Sequence, residues 1–147
     1  TKVTGGDATA SPERLQVSGP NVAGPPRIGM WPPAERVAID YRTAAVALER
    51  RFGCDRPMPW AAEDGRLRPS WGSGVACGAL LVASGRLDAF VLFGGGSWDL
   101  AATAVIVEEA GGRFSDDTGG RHLDRGVGVF SNALVHPAVL DGLRQAE

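Results

Sequence analysis

The chain is poor in several things, and each scarcity narrows its class. It has only two cysteines, Cys54 and Cys77, in 147 residues. They lie far apart and form no C-x-x-C pair, so a disulfide is not implied, and two reduced thiols of a cytoplasmic protein is the plainer reading. No apolar run approaches the roughly 20 residues that a membrane helix needs, so no membrane is expected as a partner. The net charge is only −2, which gives no reason to expect nucleic acid. The opening "TKVTGGDATASPERLQVS" lacks a basic-then-apolar signal pattern, and it reads as if cut from something longer. The two histidines, His122 and His136, have no Cys or His at metal-ligand spacing and are expected at the surface. Ser73 and Ser97 lack a G-x-S-x-G elbow and an evident base, which argues against a serine nucleophile.

What is present suits one soluble globular domain. Hydrophobic residues make up 44% and charged residues 22%, enough for a sizeable core in a chain of this length. The 21 glycines and 10 prolines are scattered, so they punctuate short elements and do not build a linker. Trp31, Trp60, Trp71 and Trp98 read as packing residues.

Periodicity supplies the elements. "RLQVS" (Arg14 to Ser18) alternates and predicts a short strand, and "RIGMW" (Arg27 to Trp31) predicts a second. Val37, Tyr41, Ala44, Ala45 and Leu48 recur at helical spacing from Ala34 to Phe52, with Gly53 placed as a C-cap. Residues Cys54 to Trp71 look irregular, with one strand near Leu67. "GVACGALLVAS" (Gly74 to Ser84) is apolar all round and predicts a buried helix. "DAFVLF" (Asp88 to Phe93) predicts a strand covered on both faces. After Gly94-Gly95-Gly96, Ser97 is the expected N-cap of a helix to Ala110, closed by Gly111-Gly112. Arg113 to Ser115 and Val127 to Phe130 predict strands around a polar turn, and Pro137 opens a last helix to about Gln145. Strands alternating with helices predict a layered α/β/α domain with a mixed sheet.

The unit "FGGGSWDL" (Phe93 to Leu100) raises a chemical question. A helix N-terminus exposes unpaired N–H groups and partial positive charge, which favour anions. The unit is not a P-loop, because no Lys-Ser/Thr follows the glycines. Asp99, in the first helical turn, is either a simple capping carboxylate or a permanently ionised hard oxygen ligand for Mg²⁺. One carboxylate cannot hold Mg²⁺ alone, and the rest of the chain forms no obvious acidic cluster. Asp116 and Asp117 read as solvated turn residues. "SWGSGVACG" (Ser70 to Gly78) is a second Gly-Ser loop before a helix. The amides of Gly72, Ser73 and Gly74 suit a polar ligand there, and an N-cap by Ser73 explains the loop equally well.

"SWDLAATAVIVEEAGG" resembles the C-terminal signature of the inositol monophosphatase family, W-D-x-A-A-x-x-x-I-V-x-E-A-G-G. "RLQVS" is similar to the strand near the end of that family's first domain. "GSGVACGALLVASGRLDAF" is similar to its Gly-Ser-Ala helix and A-x-G-R-x-D run, and "GGRFSDDTGG" with "SNALVHPAVLDGL" fits its closing strands and helix. The resemblance covers nearly the whole chain. It implies the family's second α/β/α layer, with residues 1–18 as the tail of a preceding domain and 19–147 as the C-terminal domain.

It also implies a hydrolase acting on phosphate monoesters with Mg²⁺ as cofactor. Asp99 would be a metal ligand and substrate contact, and Gly72, Ser73 and Gly74 substrate contacts. The family's remaining ligands, in a Glu-Glu segment and a D-P-I/L-D-G-T motif, do not occur here. The family's acidic substrate contact falls at Leu92. The expectation is therefore half of an enzyme, inactive until an N-terminal half completes it, with a small phosphorylated substrate. A homodimer is compatible with the family's habits. The alternative is a non-catalytic protein-interaction module that retains the fold.

Overall fold

A computed structural model describes residues 14–21, 23–54 and 74–145. In chain order, these form β1 (Ile28–Trp31), a 3₁₀ turn (Ala34–Arg36), α1 (Ile39–Phe52), α2 (Gly74–Ala83), β2 (Ala89–Phe93), α3 (Ser97–Glu109), β3 (Arg113–Ser115), β4 (Val127–Ser131) and α4 (His136–Arg144). The four strands make one mixed sheet in the order β1-β2-β4-β3. β1 runs parallel to β2, while β4 is antiparallel to both β2 and β3.

The covered strand predicted from "DAFVLF" explains the layering. Every residue of β2 is buried. Because successive side chains point to opposite faces, Ala89, Val91 and Phe93 join one core and Phe90 and Leu92 the other. Ala45 and Leu48 of α1, with Val139, Leu140 and Leu143 of α4, fill the first core. Ala79, Val82 and Ala83 of α2, with Leu100, Ala104 and Val107 of α3, fill the second. In the second core Phe130 stacks near Phe114 and Phe90, with ring centroids 5.1 and 6.3 Å away. The domain is therefore a sheet between two helical layers, as expected.

Local chemistry sets the element ends. Gly53 is left-handed (φ 60°), and its N–H closes α1 on the Glu49 carbonyl at 2.8 Å. Gly112 has no room for a side chain, because a Cβ would strike the Ser131 carbonyl and Val107 as the chain enters β3.

Several elements depart from expectation. "RLQVS" forms no strand. Its Val17 N–H bonds the Ala110 carbonyl at the end of α3, so a helix terminus takes the place of a ladder partner. The helix expected from Ala34 breaks at Val37 and Ala38, both extended, and burial of Val37 in the α1/α4 core accounts for the break. The N-cap of α3 is Gly96, not Ser97, which is the first helical residue. As expected, Cys54, buried, and Cys77, partly buried, form no disulfide. Trp31 packs against the α2/α3 core as expected, but Trp98 is 82% exposed. Trp60, Trp71 and the strand near Leu67 lie outside the described residues. No helix among the described residues is long and apolar enough to cross a membrane.

Candidate functional site

β2 delivers the candidate site. Its last residue, Phe93, pairs with Val127 of β4. One step further, the Gly94 N–H donates to the Gly126 carbonyl at 2.6 Å, so the ladder extends into the glycine turn. Gly94 then takes φ 78°, a conformation other residues rarely adopt, and the chain swings into α3. Asp99 sits in the first turn of α3, half-buried. Its Oδ2 accepts the Gly96 N–H at 3.0 Å, while Oδ1 accepts no hydrogen bond. The capping reading of this residue is therefore met by one oxygen. The exposed Trp98 ring lies against Gly96 beside it.

α2 precedes β2 and α3 follows it, and both helices pack on the same sheet face. Each runs back against β2, which brings Gly74 and Asp99 to the same end of the sheet. Gly72 and Ser73 lie outside the described residues. Among the described residues, no group of three or more His, Cys, Asp or Glu side chains can hold a metal. Asp99 thus fits Mg²⁺ as one hard oxygen ligand of a shared site, not as the whole of one.

The turn at the same end of the sheet corrects a second expectation. Asp116 is not solvated but fully buried. Its Oδ1 accepts the Thr118 N–H at 2.8 Å, the Thr118 hydroxyl at 2.6 Å and the Gly120 N–H at 3.1 Å. Its Oδ2 meets His122 Nδ1 at 2.6 Å and Arg125 Nε at 3.4 Å. Burial alone would raise its pKa, but the Thr118, His122 and Gly120 hydrogen bonds outweigh that and hold it below the usual value. Asp117 is exposed on the rim and pairs with Arg125 at 3.3 Å.

His136 is the clearer error, because it is 0% exposed. Its Nε2 lies 2.7 Å from Ser115 Oγ and its Nδ1 2.6 Å from Ser131 Oγ. Ser115 donates its hydroxyl to the Asp116 carbonyl, so Nε2–H is the donor to Ser115 and Nδ1 accepts from Ser131. Burial, helped by the charge of Arg113, lowers the His136 pKa to about 4 and keeps the ring neutral. The ring ties β3 and β4 to α4 and faces no cleft.

At the opposite end of β2 lies a cluster that the sequence reading missed. Asp88 accepts the Ser18 hydroxyl at 2.6 Å, the Arg27 N–H at 2.7 Å and the Arg27 guanidinium at 3.0 Å. Asn132 donates to Ser18 at 3.0 Å and accepts the Leu134 N–H at 3.0 Å, at the entry to α4. Burial would raise the Asp88 pKa, but the hydrogen bonds from Arg27 and Ser18 bring it down. The signal available was the G-R-x-D run just before an apolar strand.

A mixed sheet between two helical layers places the chain among layered α/β domains. Comparison with known proteins narrows the class. The model of the inositol monophosphatase family matches residues 47–146, and the chain belongs to that family. It is 48% identical to the Nus factor SuhB of Pseudomonas aeruginosa over 60 residues, 40% of this chain and 22% of that protein. It is 40% identical to an inositol-1-monophosphatase of Mesorhizobium japonicum over 65 residues, 44% of this chain and 24% of that protein. Among solved structures, the Thermotoga maritima IMPase aligns with TM-score 0.58 and 26% identity, over 91% of this chain and 46% of that one. The Bartonella henselae suhB protein aligns with TM-score 0.66 at 22% identity, which speaks for the fold alone, over 90% of this chain and 47% of that one. The chain therefore spans about half the length of the structures that it matches.

Proposed function

We propose that this chain is the C-terminal domain of a Mg²⁺-dependent phosphate monoesterase, with residues 1–18 belonging to the tail of a preceding domain. The observation that carries the reading is Asp99: a motif carboxylate at a glycine turn, one oxygen capping α3 and the other without a protein partner. Asp99 serves as a metal ligand and contacts the substrate hydroxyl. Gly72, Ser73 and Gly74 contact the substrate. When bound, Mg²⁺ supplies charge for activating a water and neutralising a leaving alkoxide. The amides at the start of α3 favour the anionic phosphate, and a cation between Asp99 and that phosphate keeps the two from facing each other directly. Leu92 stands where the family carries an acidic substrate contact, which counts against an inositol phosphate as the substrate.

The carboxylates of the Glu-Glu and D-P-I/L-D-G-T motifs are not in this chain, so it is inactive until an N-terminal half supplies them. The test is Mg²⁺-dependent phosphatase activity in the presence of such a half, with and without Asp99→Asn. Loss of activity in the variant supports the role, and unchanged activity removes it.

A second reading has its own support. SuhB relatives that share 44% to 48% of residues with this chain over their matched segments are named Nus factors, a name that is not enzymatic. On that reading the chain is a non-catalytic protein-interaction module that keeps the fold. A chain that stays inactive with every half supplied, yet binds a protein partner, would favour it.

A further inference from the structure

α1 and α4 do not close completely over their face of the sheet. Between them and the β3–β4 loop lies a cleft of about 530 Å³. Small-molecule sites span roughly 300 to 1,000 Å³, so the cleft has the size of one. Its floor is apolar: Phe93 of β2, Val127 of β4 and Leu143 of α4, with the Tyr41 ring 6.1 Å from that of Phe93. Its rim carries both signs of charge. Arg125 pairs with Asp117 at 3.3 Å and with Asp116 at 3.4 Å, so its charge is balanced within the loop. Arg144 donates to the Thr118 carbonyl at 2.9 Å and has no carboxylate partner among the described residues. On the α1 wall, Asp40 and the hydroxyls of Tyr41 and Thr43 have no hydrogen-bond or ion-pair partner among the described residues. A Cβ at Gly126 would strike the Tyr41 hydroxyl, so glycine there leaves that group room.

We propose that this cleft binds a small zwitterion of the amino-acid class, with its ammonium on Asp40, its carboxylate on Arg144 and an apolar side chain over Phe93, Val127 and Leu143. The observation behind it is that Asp40 and Arg144 line one cleft and yet form no ion pair with each other. A ligand that carries both charges satisfies both residues, through charge-assisted hydrogen bonds at each end. A simple anion meets the like charge of Asp40, and a simple cation meets that of Arg144, so each residue rejects a ligand bearing one charge alone. The floor adds selection for an apolar body, because covering it removes apolar surface from water. The guanidinium of Arg144 is held by Thr118 before any ligand arrives, which lowers the ordering cost of binding. Binding there does not depend on the role proposed for Asp99.

The experiment titrates the 147-residue chain by calorimetry with L-phenylalanine and L-leucine. Phenylpropionate and phenethylamine serve as the same aromatic body with one charge each. The expected result is one-site binding of at least one amino acid, with both single-charged analogues roughly tenfold weaker or worse. Asp40→Asn weakens the amino acids roughly tenfold and narrows the gap to phenylpropionate. Arg144→Gln weakens them similarly and narrows the gap to phenethylamine. Thermal melts check that both variants fold, and should Arg144→Gln fail there, Asp40→Asn, on an exposed helix position with no partner to lose, decides alone. No saturable binding of either amino acid up to about 10 mM overturns the proposal. So does equal binding of the single-charged analogues, or amino-acid binding that Asp40→Asn leaves untouched.

Discussion

An acidic residue lies before β2 and another in the first turn of α3 after it, and the two differ in their hydrogen bonds. Asp88, at the entry, spends both oxygens on Ser18 and Arg27. Asp99, just beyond the exit, spends one oxygen on the Gly96 N–H and keeps the other open. A buried carboxylate with every acceptor site filled has no capacity for a ligand and acts as a fastener. A half-buried one with an open oxygen has that capacity. Two identical carboxylates thus differ in spare acceptor capacity according to what their surroundings donate.

This contrast can be broken in order of expected effect. Asp99→Asn should lower the phosphatase activity of the completed enzyme by about a hundredfold or more. It should shift the urea midpoint of the isolated chain by less than about 0.5 kcal/mol equivalent, because an amide oxygen can still accept the Gly96 N–H. Asp88→Ala should do the reverse. It leaves Ser18 and the Arg27 N–H without their acceptor at a cost of about 2–3 kcal/mol in urea unfolding, with Arg27 partly solvated. A variant pair that behaved alike in both assays would erase the distinction.

Acid should act first through His136. His136 takes its proton near pH 4 when folded and near 6.5 when free, so the unfolded chain binds more protons across that window. Stability should therefore fall by about 2 kcal/mol as pH drops from roughly 7.5 to 5, and His136→Gln should flatten that slope in thermal melts. Asp88 and Asp116 have folded pKa values below 3.8, so their contribution is lost only at lower pH, as protons reach the folded carboxylates. The smallest effect concerns Ala133, which holds φ 72° at the turn into α4. Ala133→Gly should relieve that conformation and raise stability by about 0.5 kcal/mol, measurable as a shift in the urea midpoint.

Much of the fold was legible because hydrophobic period reports burial directly. Ala89 to Phe93 are apolar without alternation, and both faces of that strand are covered. The glycine turn and Asp99 were legible because the special backbone and the helix start lie within seven residues of sequence. What failed was the burial of polar residues, which depends on distant donors. His136 takes its partners from Ser115 and Ser131, and nothing in its neighbourhood announces the first of these. Asp116 was partly legible: Asp, Thr and Gly at offsets of two and four form a turn in which the carboxylate collects local amides. "RLQVS" had the alternation of a strand, but alternation does not supply a neighbouring edge.

The bond from Gly94 to Gly126 has one last implication. It ties the turn bearing Asp99 to a loop that the buried Asp116 braces through His122 and Arg125. Sequence drift at Thr118 or His122 would therefore be felt as a tilt of the Asp99 carboxylate.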